Sequence, residues 1–511
     1  MSRRPAGVFG REEMRSATSL ACDVVVVGSG AGGSALAAEL AEGGLDVIVL
    51  EEGGYTGTED FNAKVLEMTR RLYRDTGASA TIGMPPVMFQ EGRTVGGSAV
   101  INGGMSWRTP EHVLERWARE DGLAQISPEE MAPFYERVEG RIHVAYQDPE
   151  SVGRDNALLK EGAARQGWLT IDNRRNQHHC AGSNNCAFGC PTGAKRSPLV
   201  TYIPRALHFG ARIYSDVRVE KIVRRGKRAV GVEAHVVEPY GKRGAPLKVH
   251  AKLVVSACGS MQTPALLHKS GFHAPSGMLG RNLSLHPNAK VVAVFDEDVR
   301  GWEGVHQAYQ VREFRNQGFL MAAVNVPPSV VAMTSPRYGA ALGSLMRDYA
   351  KMVVAGILVE DTSLGRVMTL PNGQPVALYS LNKLDVEKLK EGVGLLCELL
   401  FAAGAKKIML PFDGVDDVRS NDDVRRALAQ PIPARSMEVV TVHLMGTARM
   451  GVDRSQAVTD SFGMFHDAQG LMVCDASLFP SPIGVNPCLT IQALATRNAA
   501  HVLENRRRYL V

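Results

Sequence analysis

An α/β chain is predicted by three observations. A β-branched run at residues 24–27 is followed at once by Gly28-Ser29-Gly30-Ala31-Gly32-Gly33 and a helix-forming stretch, 35–40. A second apolar run, 46–50, ends on Glu51. Far downstream, 253–257 is another buried-strand run that leads into Cys258-Gly259-Ser260-Met261-Gln262-Thr263-Pro264-Ala265-Leu266-Leu267. Strand, glycine turn and helix in that order describe a Rossmann-like dinucleotide-binding domain built on a parallel sheet.

Each glycine of the first turn has its own task. Gly28 permits the tight turn, Gly30 lets backbone approach a pyrophosphate, and Gly33 lets the helix pack against the strand. Glu51, at the end of the second strand, stands where a carboxylate accepts hydrogen bonds from an adenosine ribose. Glu52 competes for that role, but Glu51 directly ends the apolar run and is preferred.

Length and composition set the frame. With 511 residues, 45% apolar side chains and a net charge of +5, the chain can bury a large core in two intimately connected domains. No Lys/Arg cluster interleaved with aromatics supports a nucleic-acid role. Ser2-Arg3-Arg4 resembles a twin-arginine signal, yet no apolar region follows it, because Arg11, Glu12, Glu13 and Arg15 interrupt residues 8–19. The longest nearly uncharged segment, 316–336, is broken by Pro327-Pro328 and is no integral membrane segment. A soluble, cytoplasmic protein is expected. Eight cysteines without an export signal favour thiols or metal ligands over a disulfide framework.

Two further regions carry chemistry. In 92–104, glycines crowd around Ser98 and Asn102, as where backbone passes close to a flat ligand. The apolar Val95, Val100 and Ile101 argue against a surface loop. Near the C-terminus, His443 in Val442-His443-Leu444-Met445-Gly446-Thr447 and Asn486 in Gly484-Val485-Asn486-Pro487 flank Val473-Cys474-Asp475-Ala476-Ser477. A proton acceptor and a neutral amide that holds oxygen are what removal of a hydride from an alcohol requires. In the second strand-to-helix turn, Ser260 or Thr263 is expected as cap, with Pro264 near the helix start.

On these residues the chain resembles the glucose-methanol-choline (GMC) family of flavin oxidoreductases. The first signature is matched by 92–102, the second by Gly259-Ser260-x-x-Thr263-Pro264-x-Leu266-x-x-Ser270-Gly271, and the C-terminal block by 443–486. The resemblance spans essentially the whole chain. It implies FAD, with Gly28, Gly30 and Gly33 at the pyrophosphate and Glu51 at the adenosine ribose. It also implies Gly97, Ser98 and Asn102 along the ring and ribityl region, Val219 pairing its backbone with adenine, and Asp475 and Ala476 at the diphosphate and ribityl part. Some relatives attach FAD through a histidine just before the signature asparagine; Ile101 stands there, so noncovalent FAD is expected. The family-like mechanism makes neutral His443 the acceptor of the hydroxyl proton while hydride passes to flavin N5, and Asn486 the holder of the hydroxyl and developing alkoxide. Several relatives have a second histidine at the Asn486 position, and since an amide cannot take the proton, His443 is the base.

The implied division is an FAD-binding domain of residues 18–125, 196–285 and 441–511, and a discontinuous α+β substrate domain of 126–195 and 286–440 built on an antiparallel sheet. Within the latter, 290–295 and 355–359 read as strands, 365–380 as a hairpin around Pro371-Asn372-Gly373, and 385–403 as an amphipathic helix. Residues 319–359 are rich in Met, Val and Ala, which fits an apolar pocket or ordinary sheet core. With Trp302-Glu303-Gly304-Val305-His306-Gln307, this domain is more similar to long-chain or lipophilic alcohol oxidoreductases than to the sugar enzymes.

Cys180, Cys186 and Cys190 lie in the loop 178–195, which is similar to one in bacterial FAD-dependent glucose dehydrogenases of the family. There a three-iron (3Fe-4S) cluster takes electrons from the flavin; here Ala181 replaces another cysteine of that group. A cluster, a loop of reduced thiols, zinc completed by His178 or His179, or a disulfide are the readings in play. A cluster favours one-electron transfer to an external acceptor over direct reaction with oxygen, and a dehydrogenase is expected rather than an oxidase. The expected function is oxidation of a hydrophobic alcohol, a small-molecule substrate. The alternatives are a sugar dehydrogenase wired through a cluster and a non-redox flavoprotein of the lyase or decarboxylase kind.

Overall fold

The computed structural model describes residues 4–335 and 337–510; Ser2 and Arg3 of the arginine pair, and Pro336 of the uncharged segment, lie outside the described residues. The first turn folds as its sequence dictates. Thr18–Val27 runs into the glycine turn, Ala31–Glu42 is the helix, and Val47–Leu50 pairs parallel with the first strand, Val24 opposite Val47. The sheet runs in the order Val8–Phe9, Arg212–Tyr214, Val47–Leu50, Thr18–Val27, Arg243–Ser256, Arg228–Val237, Val217–Arg225, with Leu471–Val473 alongside the C-terminal half of Arg243–Ser256. Val24, Val25, Val26, Leu253, Val254 and Val255 are wholly buried and share one core with Ala31–Glu42 and Cys488–Glu504, as the consecutive residues of parallel strands covered on both faces must be.

The second sheet has nine strands and is antiparallel but for Val439–Thr441, which runs parallel to Val87–Phe89. At its centre, Asn288–Val294, Met352–Val359 and Phe319–Ala323 pair antiparallel. Alternation sorts their side chains: Phe319, Met321 and Ala323 pack in the core with Leu389, Val393 and Leu396 of the helix Lys383–Ala403, whereas Leu320 and Ala322 face a cavity. Both readings of 319–359 therefore hold, one for each face. The hairpin joins Gly365–Thr369 to Pro375–Leu378. No described helix is long and apolar enough to cross a membrane.

Three expectations need correction. Neither Ser260 nor Thr263 caps the helix Gly259–Lys269. Ser260 Oγ instead donates to Leu444 O at 2.8 Å and Thr263 Oγ1 to Asp475 Oδ2 at 2.6 Å, because both hydroxyls lie against the C-terminal block. Pro264 stands inside that helix rather than at its start. The division into domains is also crossed by several segments. Val8–Phe9 extends the first sheet, Ser79–Ala80 and Val87–Phe89 belong to the second, and the helix Pro128–Arg141 buries Met131, Tyr135 and Val138 in the first core.

Candidate active site

A cavity of about 860 Å³ runs between the two sheets, lined at one end by Gly28, Gly30, Glu51 and Val219 and at the other by His443, Asn486, Leu320 and Met333. Gly97, Ser98, Asn102, Asp475 and Ala476 line it between these ends. Of the sequence-predicted residues, Gly33 and the three cysteines stand outside the lining.

The glycine end is shaped for an anion. Gly28 adopts φ +100°, and a Cβ there would strike Ala257 O, so only glycine serves. A Cβ on Gly33 would collide with Gly28 O, which is the close packing expected of that position. One on Gly30 would meet no protein atom nearer than Gly97 Cα at 4.0 Å and would enter the cavity. The helix Ala31–Glu42 has no side-chain cap, so its first N–H groups open towards this space, the arrangement that holds phosphate oxygens.

Glu51 is buried, and burial raises its pKa against the bonds it accepts from Gly53 N at 2.9 Å, Ser29 N at 3.0 Å and Ser29 Oγ at 2.7 Å. Ser29 Oγ in turn accepts from Gly96 N at 3.0 Å and ties the turn to the signature loop. Glu52 is taken by Arg74, 2.8 Å away, and by Arg218 at 3.7 Å, which leaves Glu51 the better candidate for a ribose. The ladder slips between Val219 and Lys221, and this bulge frees backbone at the cavity wall. Ser98 Oγ accepts from Gly92 N at 2.9 Å and Asn102 Oδ1 from Gly104 N at 3.1 Å. Asp475 spends its carboxylate on Gly259 N, Thr263 and Ser477, so it presents backbone rather than charge to the cavity.

The chemical end is built where the chain passes twice between sheets. Ser284 pairs with Met445, Leu285 with Leu444, and Asn288 with Val440, which sets His286 opposite His443. Their Nδ1 atoms are 3.0 Å apart with the rings at 89°. Gly484 N donates to His286 Nε2 at 3.1 Å, and His443 Nε2 lies 3.4 Å from Asn486 Nδ2. Burial pushes His443 down to about 4, and burial with the facing His443 pushes His286 well below the usual imidazole range. Both rings are therefore neutral near pH 7. Sequence reasoning missed His286, which precedes Pro287 in an apolar run and carries no motif.

The cysteine loop brings its thiols near enough for Cys186 and Cys190 to help raise the pKa of Cys180, after burial, but does not converge them as metal ligands among the described residues. Cys186 Sγ is 3.7 Å from Arg175 Nη2, and Cys190 Sγ accepts from Lys195 N at 3.4 Å. Among the described residues no three His, Cys, Asp or Glu side chains converge to hold a metal, and His178 packs on His143 and His179 instead. The loop as folded does not fit a 3Fe-4S cluster or a zinc ion, and its cysteines are free thiols. What secures it is Lys195, also missed from sequence, whose buried Nζ donates to Val100 O at 2.7 Å, Asn102 O at 2.8 Å and Cys186 O at 2.6 Å.

The chain is similar to known proteins over most of its length. Residues 23–64 match the FAD binding domain family, and residues 69–288 and 362–495 match the N- and C-terminal GMC oxidoreductase families. An uncharacterized GMC-type oxidoreductase of Mycobacterium tuberculosis is 37% identical over 93% of this chain and 74% of its own. Another from Sinorhizobium fredii is 32% identical over 97% of each. A long-chain-alcohol oxidase of Arabidopsis thaliana is 30% identical over 95% of this chain and 68% of its own. Among solved structures, pyridoxine 4-oxidase from Mesorbium loti superposes with a TM-score of 0.70 at 19% identity, covering 94% of this chain and 99% of that one. Formate oxidase of Aspergillus oryzae superposes at 0.74 and 15%, covering 97% and 100%. By family models that together span most of its length and by relatives matched nearly end to end, this chain belongs to the GMC oxidoreductases and carries their FAD-binding domain.

Proposed function

We propose that the protein oxidises a hydrophobic primary or secondary alcohol to the aldehyde or ketone, with FAD held noncovalently. The observation that carries this reading is the convergence of neutral His443 and Asn486 at the end of the cavity opposite the glycine turn. Bound FAD supplies the two-electron acceptor for the hydride leaving the alcohol carbon. The uncapped helix after Gly30, Glu51 and the backbone at Val219 suit its diphosphate, ribose and adenine, and Ile101 offers no histidine for a covalent bond. Asn486 holds the alcohol oxygen, and His443 takes the hydroxyl proton at Nε2.

The histidine pair governs that proton. A backbone N–H only donates, so Gly484 makes His286 Nε2 an acceptor and leaves the ring proton on Nδ1, aimed at His443 Nδ1. The Asn486 amide nitrogen likewise only donates and calls for a bare His443 Nε2, so it competes with His286 over where the proton of His443 lies. To accept from an alcohol, His443 must have Nε2 bare and its own proton on Nδ1, from which it can pass to the facing Nδ1 of His286. Proton uptake is thus a property of two rings.

The apolar wall of Leu320, Ala322, Val330 and Met333 supports a lipophilic substrate, as does the likeness to a protein named long-chain-alcohol oxidase. A cysteine loop that does not converge its thiols as metal ligands removes the support for a wired dehydrogenase, so oxygen is the favoured acceptor. A panel of alcohols assayed with oxygen and with artificial acceptors tests both points. Turnover of aliphatic alcohols with hydrogen peroxide release is the expected result; turnover of sugars only, or of alcohols only with artificial acceptors, would refute it.

A further inference from the structure

The wall that runs from the histidine pair towards the apolar end carries a cation without a counter-charge. His286, Asn288 and Lys290 all line the cavity, Asn288 and Lys290 from the strand Asn288–Val294 and His286 from just before it. At 3.3–3.4 Å per residue, Lys290 lies roughly 13 Å from His286. Burial alone pushes its ammonium down to about 8, and no charged neighbour offsets it. The facing groups explain why. Leu320, Ala322, Gly356, Leu358 and Val440 are apolar, and the nearest titratable ring, His306, is itself driven to about 3 by burial with Arg175, Lys195 and Lys290. The cavity's carboxylates, Glu51, Glu52, Glu91, Glu220 and Asp475, lie on other walls, and none bears on Lys290. Asn288 adds an amide whose Oδ1 has no partner.

A half-buried ammonium in a cavity without an anion is costly unless a ligand brings one. We propose that Lys290 anchors a carboxylate carried by the substrate at the end remote from its reacting hydroxyl, so that the preferred substrates are hydroxy acids with an apolar spacer. The proposal rests on the alcohol-oxidising reading above: the hydroxyl sits at His443 and Asn486, the methylene chain lies along Leu320 and Leu358, and the carboxylate meets Lys290.

The test compares ω-hydroxydecanoate with decanol in anaerobic flavin reduction. With Lys290 protonated, kcat/KM is expected to favour the hydroxy acid by about tenfold or more, since a half-buried charge left unpaired penalises the plain alcohol. Lys290→Met should bring the ratio near one and Lys290→Arg should restore part of it. The preference should fade above pH 8, because the carboxylate binds the protonated amine and affinity falls as the free ammonium deprotonates. Equal efficiency for both substrates, or a ratio unmoved by Lys290→Met, would overturn the proposal. If neither compound reduces the flavin, the alcohol-oxidising reading fails. Decanoate binding, followed by the absorbance of bound FAD, still decides the anchor: about tenfold weaker binding in Lys290→Met supports it and unchanged binding refutes it.

Discussion

His286 and His443 face each other across an antiparallel register, Nδ1 to Nδ1 at 3.0 Å, between the four-stranded sheet that holds Arg281–Leu285 and Leu444–Met445 and the nine-stranded one that holds Asn288–Val294 and Val439–Thr441. Directly opposed residues of paired strands have Cβ atoms about 4.5–5.5 Å apart, close enough for two rings to meet, so register rather than chance sets the pair. Thr441 fixes both strands, donating to His286 O at 3.0 Å and accepting from His443 N at 3.1 Å. In the proposed reaction the base is therefore a two-ring unit whose far end is held by Gly484.

His286→Asn keeps a polar side chain but cannot relay a proton. Flavin reduction should slow by about tenfold, or roughly 1.4 kcal/mol of barrier, with FAD content unchanged. In a solvent-deuterium proton inventory the curve should straighten, as two moving protons become one. An unchanged rate and curve would mean that His286 only fills space.

Acid should act on stability before it acts on chemistry. His443 titrates near 4 in the fold but at about 6.5 when unfolded, and His286 is lowered likewise. As pH falls below 6.5 the unfolded chain binds protons first, so the stability contributed by these neutral rings is full above 6.5 and lost towards 4. Thermal denaturation at pH 7 and pH 5 should show a lower Tm at pH 5, and replacing both histidines should shrink that difference.

The glycines separate cofactor binding from folding. Gly30→Ala meets no close protein atom but enters the cavity, so the apoprotein should keep its Tm while FAD binds about tenfold more weakly. Gly33→Ala collides with Gly28 backbone and should cost fold stability as well. Equilibrium dialysis with FAD and apoprotein melting distinguish the two.

Anaerobically purified protein should contain flavin without stoichiometric iron or acid-labile sulfide, which elemental analysis checks. Lys195→Met leaves three carbonyl oxygens without their donor and should lower stability by about 2–4 kcal/mol in denaturant unfolding. Iron in a ratio of three to one flavin would contradict the account of the loop.

The features legible in the sequence were those whose physics is local. The turn at Gly28, Gly30 and Gly33 is read from adjacent residues, and the hairpin from Pro371-Asn372-Gly373 at its tip. His286, Lys195 and Lys290 were not legible, because each matters through partners far along the chain: His443, Val100 and Asn102, and the opposite cavity wall. Thr263 misled for the same reason, since a hydroxyl near a helix start reads as a cap until Asp475 arrives from the C-terminal block. The cysteines misled through spacing, which gives no information on whether thiols converge.

The most direct measurement is anaerobic stopped-flow flavin bleaching by a long-chain alcohol in the wild-type protein and in His443→Gln, both loaded with FAD. The account predicts rapid bleaching in the wild type and a loss of roughly 10²–10⁴-fold in the variant. Bleaching by His443→Gln at the wild-type rate, or no bleaching of the wild type by any alcohol, would contradict it.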